Sequence, residues 1–551
     1  MTLRRAVLVL ALLLACSGCA AATAQAPTAT ETVPNATLVE AYPNPVADGD
    51  PGEFVAVRFR EPTNATGWTI TDGNTVAHLP NRTVEGTVAF STAPEEARRH
   101  TDRRVAGLDG RLLLADGGDE LELRRNGEAV HVARYRNAPE SRVREFDAGE
   151  WRPVGATDLE PVHTGSGEAT AFVLPDADGR TAQTLARADH RLLLAGYTLT
   201  SEDVTDALLA ARRNGADVRV LLDGSPVGGV TERQARLLDR LADGGVEVRL
   251  LDGPHTRYRH HHPKYAVVDD RALVLTENFK PAGTGGMSSR GWGVALRDAA
   301  AADALADLHA ADREWRAATP WTSYRAGRDF ADADPALGNF ESRHAARNVS
   351  YDAATVLVAP DNAEDALVAD LDGADDRILV QQVEIGSRDG RLLRAVLRAA
   401  DRGVTVRIHL SDGWYVEADN AALAEWLNRR AGAEGWDLEA RVDDAAETSV
   451  GYEKVHTKGV VVDDAVVLGS LNWANSAGEE NREVLVRLDG GSAADYYAGV
   501  FESDWATGDA EEESLPAGLL GGVAVAVCGI LLVARKVTFV GRDGVVTDWQ
   551  W

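Results

Sequence analysis

Residues 262–269 read His262-Pro263-Lys264-Tyr265-Ala266-Val267-Val268-Asp269, and residues 456–463 read His456-Thr457-Lys458-Gly459-Val460-Val461-Val462-Asp463. Each places His, Lys and Asp at one spacing around a mainly apolar run that reads as a buried strand. Side chains alternate along a strand, so His and Lys, two apart, share a face while the Asp closes the strand. A face carrying an imidazole beside an ammonium suits a phosphate group. Beyond the first octad come Thr276 and Asn278, and beyond the second Gly469, Ser470 and Asn472, at matching intervals.

The surroundings repeat as well. Leu192-Leu193-Leu194-Ala195, a helix near 204–214 and Val218-Arg219-Val220-Leu221-Leu222-Asp223-Gly224 correspond to Ile378-Leu379-Val380-Gln381, a helix near 392–401 and Val406-Arg407-Ile408-His409-Leu410-Ser411-Asp412-Gly413. A period of roughly 190 residues is too long for a solenoid and suits a duplicated domain. Apolar runs alternating with Ala/Leu/Arg-rich helical stretches make each copy α/β, over 168–318 and 352–506, with Pro320, Gly327 and Pro335 between them.

The 551 residues carry 86 acidic and 57 basic side chains, a formal charge of -29, which leaves no broad basic face for duplex nucleic acid. Only five of the basic residues are Lys, and four of these, Lys264, Lys280, Lys454 and Lys458, fall in or beside the two octads. A compact ammonium rather than a planar guanidinium is therefore selected there. Strong acidity with Arg replacing Lys reads as adaptation to concentrated salt, a halophilic trait.

The ends of the chain read as an address. Arg4 and Arg5 before an uncharged run fit a secretory signal over 1–26, ending either in lipidation at Cys16 or Cys19 or in ordinary cleavage near Ala24 or Ala26. Residues 517–534 are uncharged, about 27 Å as a helix, followed by Arg535 and Lys536; they are expected to form one transmembrane helix, with 535–551 a cytoplasmic tail and the catalytic part outside. Cys16, Cys19 and Cys528 are the only cysteines, so the part between the ends has neither a disulfide nor a thiolate metal site.

Residues 36–150 alternate apolar and polar in short runs at sandwich-like spacing. Tyr42-Pro43-Asn44-Pro45, Gly52-Glu53-Phe54-Val55, Gly67-Trp68-Thr69-Ile70 and Gly117-Gly118-Asp119-Glu120-Leu121 resemble the lamin-tail family, which implies an immunoglobulin-like β-sandwich with a spacer or binding role.

The duplicated His-x-Lys-x4-Asp pattern resembles the phospholipase D superfamily over about 340 residues. The resemblance implies an α/β fold with two halves in pseudo-two-fold arrangement around one active site, here preceded by the sandwich and followed by the membrane helix. It implies catalytic roles for His262, Lys264, Asp269, His456, Lys458 and Asp463, one histidine attacking phosphorus and the other protonating the leaving oxygen. Thr276, Asn278, Ser470 and Asn472 are expected to bind substrate, and Glu483 to pair with a motif histidine. The first copy departs at two points: Arg290-Gly291-Trp292-Gly293 stands where its acid belongs, and Leu275 replaces the glycine of Gly469-Ser470, so asymmetric halves are expected. No metal and no cofactor are expected; His260 and His261 add a local positive patch, and His409 reads as a core histidine. Trp414 and Tyr415 either line the cleft or pack on a surface loop.

The function expected is a secreted, membrane-anchored phosphodiesterase acting on phospholipid, its partners being that substrate and the membrane. The alternatives are an extracellular nuclease of the same mechanism and a non-catalytic surface binding protein.

Overall fold

The computed structural model describes residues 34–45, 51–253, 256–332, 340, 342–443, 452–474 and 477–507. Among these no helix is long and apolar enough to cross a membrane. The longest, Glu417–Glu434, carries Glu417, Asp419, Glu425, Arg429, Arg430 and Glu434, charges that hydrocarbon does not solvate. The expectation of a single-pass membrane protein is thereby corrected, since no described element supports it. The expected signal at 1–26, the apolar stretch 517–534 and the tail 535–551 lie outside the described residues.

The N-terminal unit has a six-stranded and a five-stranded sheet. Alternation along Phe54–Asn64 and Gly118–Arg125 buries Val55, Val57, Phe59, Leu121 and Leu123 in one core that includes Trp68 and Phe90. Its Arg142 pairs with Glu479 at 2.8 Å, and its Asp102 with Arg257 at 3.1 Å, so it touches both of the following halves.

Each half is a mixed sheet with the same strand order. In the first, Arg191–Gly196, Asp217–Asp223 and Glu247–Leu251 are parallel, and Tyr265–Val268, Arg271–Leu275, Ser289–Leu296 and Gly167–Leu174 continue antiparallel. In the second, Arg377–Gln382, Thr405–Leu410 and Leu438–Val442 are the parallel trio, followed by Lys458–Val462, Ala465–Gly469, Glu483–Asp489 and Ala353–Ala359. The crossover helices start and stop where the sequence says they should. Ser201 accepts from the Val204 amide at the start of Glu202–Arg213, whose first turn is acidic and last turn basic, and Gly215 at φ +106° turns the chain into the next strand.

The edge strands are exchanged. Val162–Thr164, which precedes the first half, pairs with Ala353–Ala359 of the second, and Arg347–Tyr351, which precedes the second, pairs with Gly167–Leu174 of the first. Each half thus closes the other's sheet edge, leaving fewer unpaired amides. Helices cover the outer sheet faces, over one core per half. The inner faces share a third core in which Tyr265, Val267, Trp292, Leu305 and Leu308 of the first half meet Val461, Leu468, Val484, Tyr497 and Phe501 of the second. Gly459 has no side chain where Trp292 crosses, and a Cβ there would overlap the indole.

Candidate active site

Both histidines stand at the start of their strands, at the seam between halves, held by backbone from across it. The His262 amide donates to the Arg482 carbonyl at 3.0 Å and the His456 amide to the Arg290 carbonyl at 2.8 Å. The side chains cross the seam too. His262 Nδ1 is 2.9 and 3.0 Å from the two oxygens of Glu483, and His456 Nδ1 is 3.2 Å from Glu277 Oε2. Each imidazole is therefore oriented by a buried carboxylate of the other half.

The lysines complete the polar floor. Lys264 Nζ donates to the His262 carbonyl at 2.5 Å; Lys458 Nζ donates to the His456 carbonyl at 2.8 Å and stands 3.2 and 3.3 Å from the His456 ring nitrogens. Burial lowers Lys264 well below the usual amine range, and it takes Lys458 down to about 7 against the attraction of Glu277 and Glu483. Burial, with Lys264 adding to it, brings His262 to about 4; burial and then Lys458 bring His456 to about 3. The carboxylates go the other way. Burial raises them, but His456, Lys458 and Ser289 together outweigh it at Glu277, and His262, Lys264 and Ser470 together outweigh it at Glu483, so both stay below the usual range. Lys458 acts on His262, and Glu277 on Lys264, so the two motifs share one electrostatic site. Lys280 and Lys454 extend the cluster at the rim, Lys454 acting on Lys280 across the seam and on His456 of its own half.

Asn278 and Asn472 each hold a buried amide oxygen with no partner, polar capacity left for a ligand. The hydroxyls also brace the fold, and Ser470 bonds the site carboxylate Glu483. Thr276 Oγ1 accepts from the Trp292 amide at 2.9 Å, and Ser470 Oγ accepts from the Val484 amide at 2.9 Å, bracing equivalent strand pairs. The Asp of each motif leaves the site altogether. At φ +55° Asp269 accepts from the amides of Asp189, His190 and Arg191, and at φ +53° Asp463 accepts from those of Asp375, Asp376 and Arg377. Four-residue and five-residue strands separate these turns from the histidines, so the catalytic role expected for Asp269 and Asp463 is corrected to clamping a turn.

Glu277 is the residue that sequence reasoning missed. The acid of the first half was sought at 290–293, on the strand equivalent to that of Glu483, whereas it comes from the neighbouring strand end, between Thr276 and Asn278. The expected asymmetry is a transposition and leaves each histidine with a carboxylate. Tyr197 was missed as well; its ring meets His262 edge-on at 4.8 Å, and Lys264 Nζ lies 5.5 Å from it. His261 is buried 3.6 Å from Asp312, and His409 is a core residue 3.3 Å from Asp443. Among the described residues no cluster of three or more His, Cys, Asp or Glu is placed to hold a metal.

Residues 181–292 and 367–505 match the family model described as cardiolipin synthase, PLD-like domain. The chain is similar to the mitochondrial cardiolipin hydrolase of Xenopus tropicalis, 36% identical over 115 residues, which are 21% of this chain and 48% of that protein. It thus spans about half the length of that relative. Among solved structures it is similar to Nuc, a phospholipase D family member from Salmonella typhimurium, at 18% identity, with 29% of this chain and 98% of that one covered and a TM-score of 0.24. It is also similar to the phosphatidylserine synthase of Haemophilus influenzae, at 15% identity, with coverage of 63% and 87% and a TM-score of 0.44. Both histidine motifs lie inside the matched segments and the two rings are oriented across one seam, so the two halves carry a PLD-like domain and the resemblance to the phospholipase D superfamily is supported.

Proposed function

We propose that the protein hydrolyses phospholipid phosphodiester bonds through a phosphohistidine intermediate. One observation carries the reading: two histidines about 190 residues apart share a buried, lysine-lined site, each held at Nδ1 by a carboxylate. A carboxylate on Nδ1 keeps the proton there and leaves the Nε2 lone pair for attack. One imidazole displaces the alcohol from phosphorus while the other gives that alcohol a proton; water then displaces the first imidazole, surrendering its proton to the second. Lys264 and Lys458, with the side-chain N–H groups of Asn278 and Asn472, meet the non-bridging oxygens. An anionic substrate raises the depressed imidazole pKa values, so the proton donor is charged only once substrate is bound.

The N-terminal two-sheet unit is read as a lamin-tail-type spacer or binding module; it contributes none of these side chains. Its two-sheet core supports the reading.

The test offers phosphatidylcholine vesicles and a single-stranded oligonucleotide to the full chain in molar salt with chelator. Lipid cleavage is expected to survive the chelator and to be lost in His262→Asn and in His456→Asn, with an acid-labile, base-stable phosphoryl adduct trapped on one histidine. Full activity in either variant refutes the shared site. Cleavage of the oligonucleotide in preference to lipid moves the reading to a nuclease.

A further inference from the structure

Residues 224–230 and 411–416 form equivalent loops in the two halves, each following the middle strand of a parallel trio, Asp217–Asp223 or Thr405–Leu410. Three large apolar side chains stand in solvent among the described residues of the halves, and all three lie on these loops: Val227 is 83% exposed, Trp414 89% and Tyr415 46%. Both loops border the active site. The Val227 amide donates to Tyr197 Oη at 2.5 Å, and the Tyr197 ring packs against His262. Trp414 meets Tyr415 edge-on at 5.7 Å; Lys454 Nζ lies 5.7 Å from the Tyr415 ring and acts on His456. Isolated exposed apolar residues need no explanation, but among the described residues of the halves the large ones occur as a pair of tips on either side of one mouth.

We propose that these two tips enter the headgroup layer of a phospholipid bilayer and seat the active site over lipid packed there. The inference rests on the phosphodiesterase reading and narrows its substrate to lipid presented in an interface. Indole side chains favour the level of the headgroups, and an aliphatic tip opposite gives the mouth two apolar feet. A phosphate between them meets the half-buried Lys280 and Lys454 at the rim before Lys264 and Lys458 below. A nucleic acid strand is served less well. It needs a cationic track with aromatic platforms, whereas Val227 has no stacking face and Trp414 is flanked in the chain by Asp412, Glu417 and Asp419.

The full chain and its Trp414→Phe variant, in molar salt, are titrated with vesicles of phosphatidylcholine brominated on the acyl chains. The parent is expected to lose an increment of tryptophan emission that Trp414→Phe lacks; equal quenching in the two overturns the proposal. Separately, Val227→Ser/Trp414→Ser is expected to turn over vesicle phosphatidylcholine about tenfold more slowly, while hydrolysing monomeric dihexanoyl phosphatidylcholine within about twofold of the parent. Equal losses on both substrates overturn it, because the loops then act through the shape of the site. Quenching of residue 414 by oligonucleotide and not by vesicles overturns it in favour of nucleic acid. If the residue-414 increment is present but neither lipid is cleaved, the phosphodiesterase reading fails and the docking stands.

Discussion

Gly291 and Glu277 face one another on adjacent strands, and the absence of a side chain at 291 makes the space that the Glu277 carboxylate fills: a Cβ there would overlap Glu277 Cγ. The register fixes the comparison with the second half. Leu275 opposes Gly293 and Gly469 opposes Leu485, so the pair Glu277 and Gly291 is replaced there by Leu471 and Glu483. The acid has changed sides across the same strand pair, facing Gly291 in one half and Leu471 in the other.

From that transposition, Glu277→Leu and Gly291→Ala are each expected to lower kcat by about 10²–10⁴-fold, the first by removing the orienting carboxylate of His456 and the second by displacing it. Glu277→Leu/Gly291→Glu rebuilds the second half's arrangement in the first and is expected to recover at least about tenfold over Glu277→Leu. Steady-state kinetics of the three variants measure this. A double variant no better than the single shows that position 291 cannot supply the acid.

Asp269 and Asp463 are expected to matter for stability and little for chemistry. Each carboxylate takes three backbone amides in a left-handed turn, so Asp463→Ala strands those amides and keeps a Cβ at positive φ. The expected cost is about 2–4 kcal/mol, with Asp463→Asn milder because its amide oxygen still accepts and Asn tolerates the turn. Urea unfolding and kcat on the folded fraction separate the two roles. A kcat loss of a hundredfold at unchanged stability would restore a catalytic assignment.

The spacing of His, Lys and Asp was legible because the chemistry and the strand period both lie within eight consecutive residues. What the spacing hides is direction across the seam. Glu483 lies 221 residues from His262, and whether it serves its own half or the other depends on how the halves face each other. The exchanged edge strands are hidden for the same reason, since Val162–Thr164 has the same pattern whichever sheet it joins. The amides from which Thr276 and Ser470 accept are equally hidden, since a hydroxyl beside a strand end serves a neighbouring amide as readily as a phosphate. Lysine scarcity, by contrast, marked a cluster: Lys264, Lys454 and Lys458 act on the motif histidines, and Lys280 acts on Lys264 and faces Glu277.

Acid is expected to destabilise the fold through the active site. In the unfolded chain both imidazoles take up protons near pH 6.5, whereas in the folded one His262 does so only near 4 and His456 near 3. Between these values the unfolded state binds more protons, so stability is complete above about pH 6.5 and drains as pH falls toward 4 and below. Urea midpoints at pH 7, 5.5 and 4 are expected to fall less steeply in His262→Asn/His456→Asn than in the parent. An equally steep fall in the double variant assigns the acid sensitivity elsewhere.

Alkali is expected to weaken substrate capture. Lys458, held at about 7 in the free enzyme, loses its ammonium as pH rises through neutrality, and with it an attraction for phosphate. The profile of kcat/KM should therefore decline above about pH 7, whereas the kcat profile holds to higher pH because bound phosphate returns the proton affinity. Lys458→Arg, which stays charged, is expected to flatten the alkaline limb of whatever activity it retains. Parallel declines in kcat and kcat/KM in the parent would count against Lys458 as the titrating group.

Two buried arginines tie the halves together in the same pattern. Arg482 spans Asp312 at 3.1 Å and Asp361 at 2.8 Å over the Tyr258 ring, and Arg290 spans Asp504 at 3.0 Å and Asp176 at 2.5 Å over the Tyr452 ring. Each immediately precedes the position that holds, or makes room for, a site carboxylate, and each offers its carbonyl to a motif histidine. Replacing either with Leu removes the guanidinium between two buried carboxylates, an expected cost of about 3–5 kcal/mol in each case. Because the loss strikes the seam, Arg482→Leu is also expected to loosen Glu483 and lower kcat in the protein that remains folded at low temperature, as Arg290→Leu does through His456. Calorimetry and kinetics at about 10 °C give both readings. An Arg290→Leu protein as stable and as active as the parent would show that the seam is held by its apolar core alone.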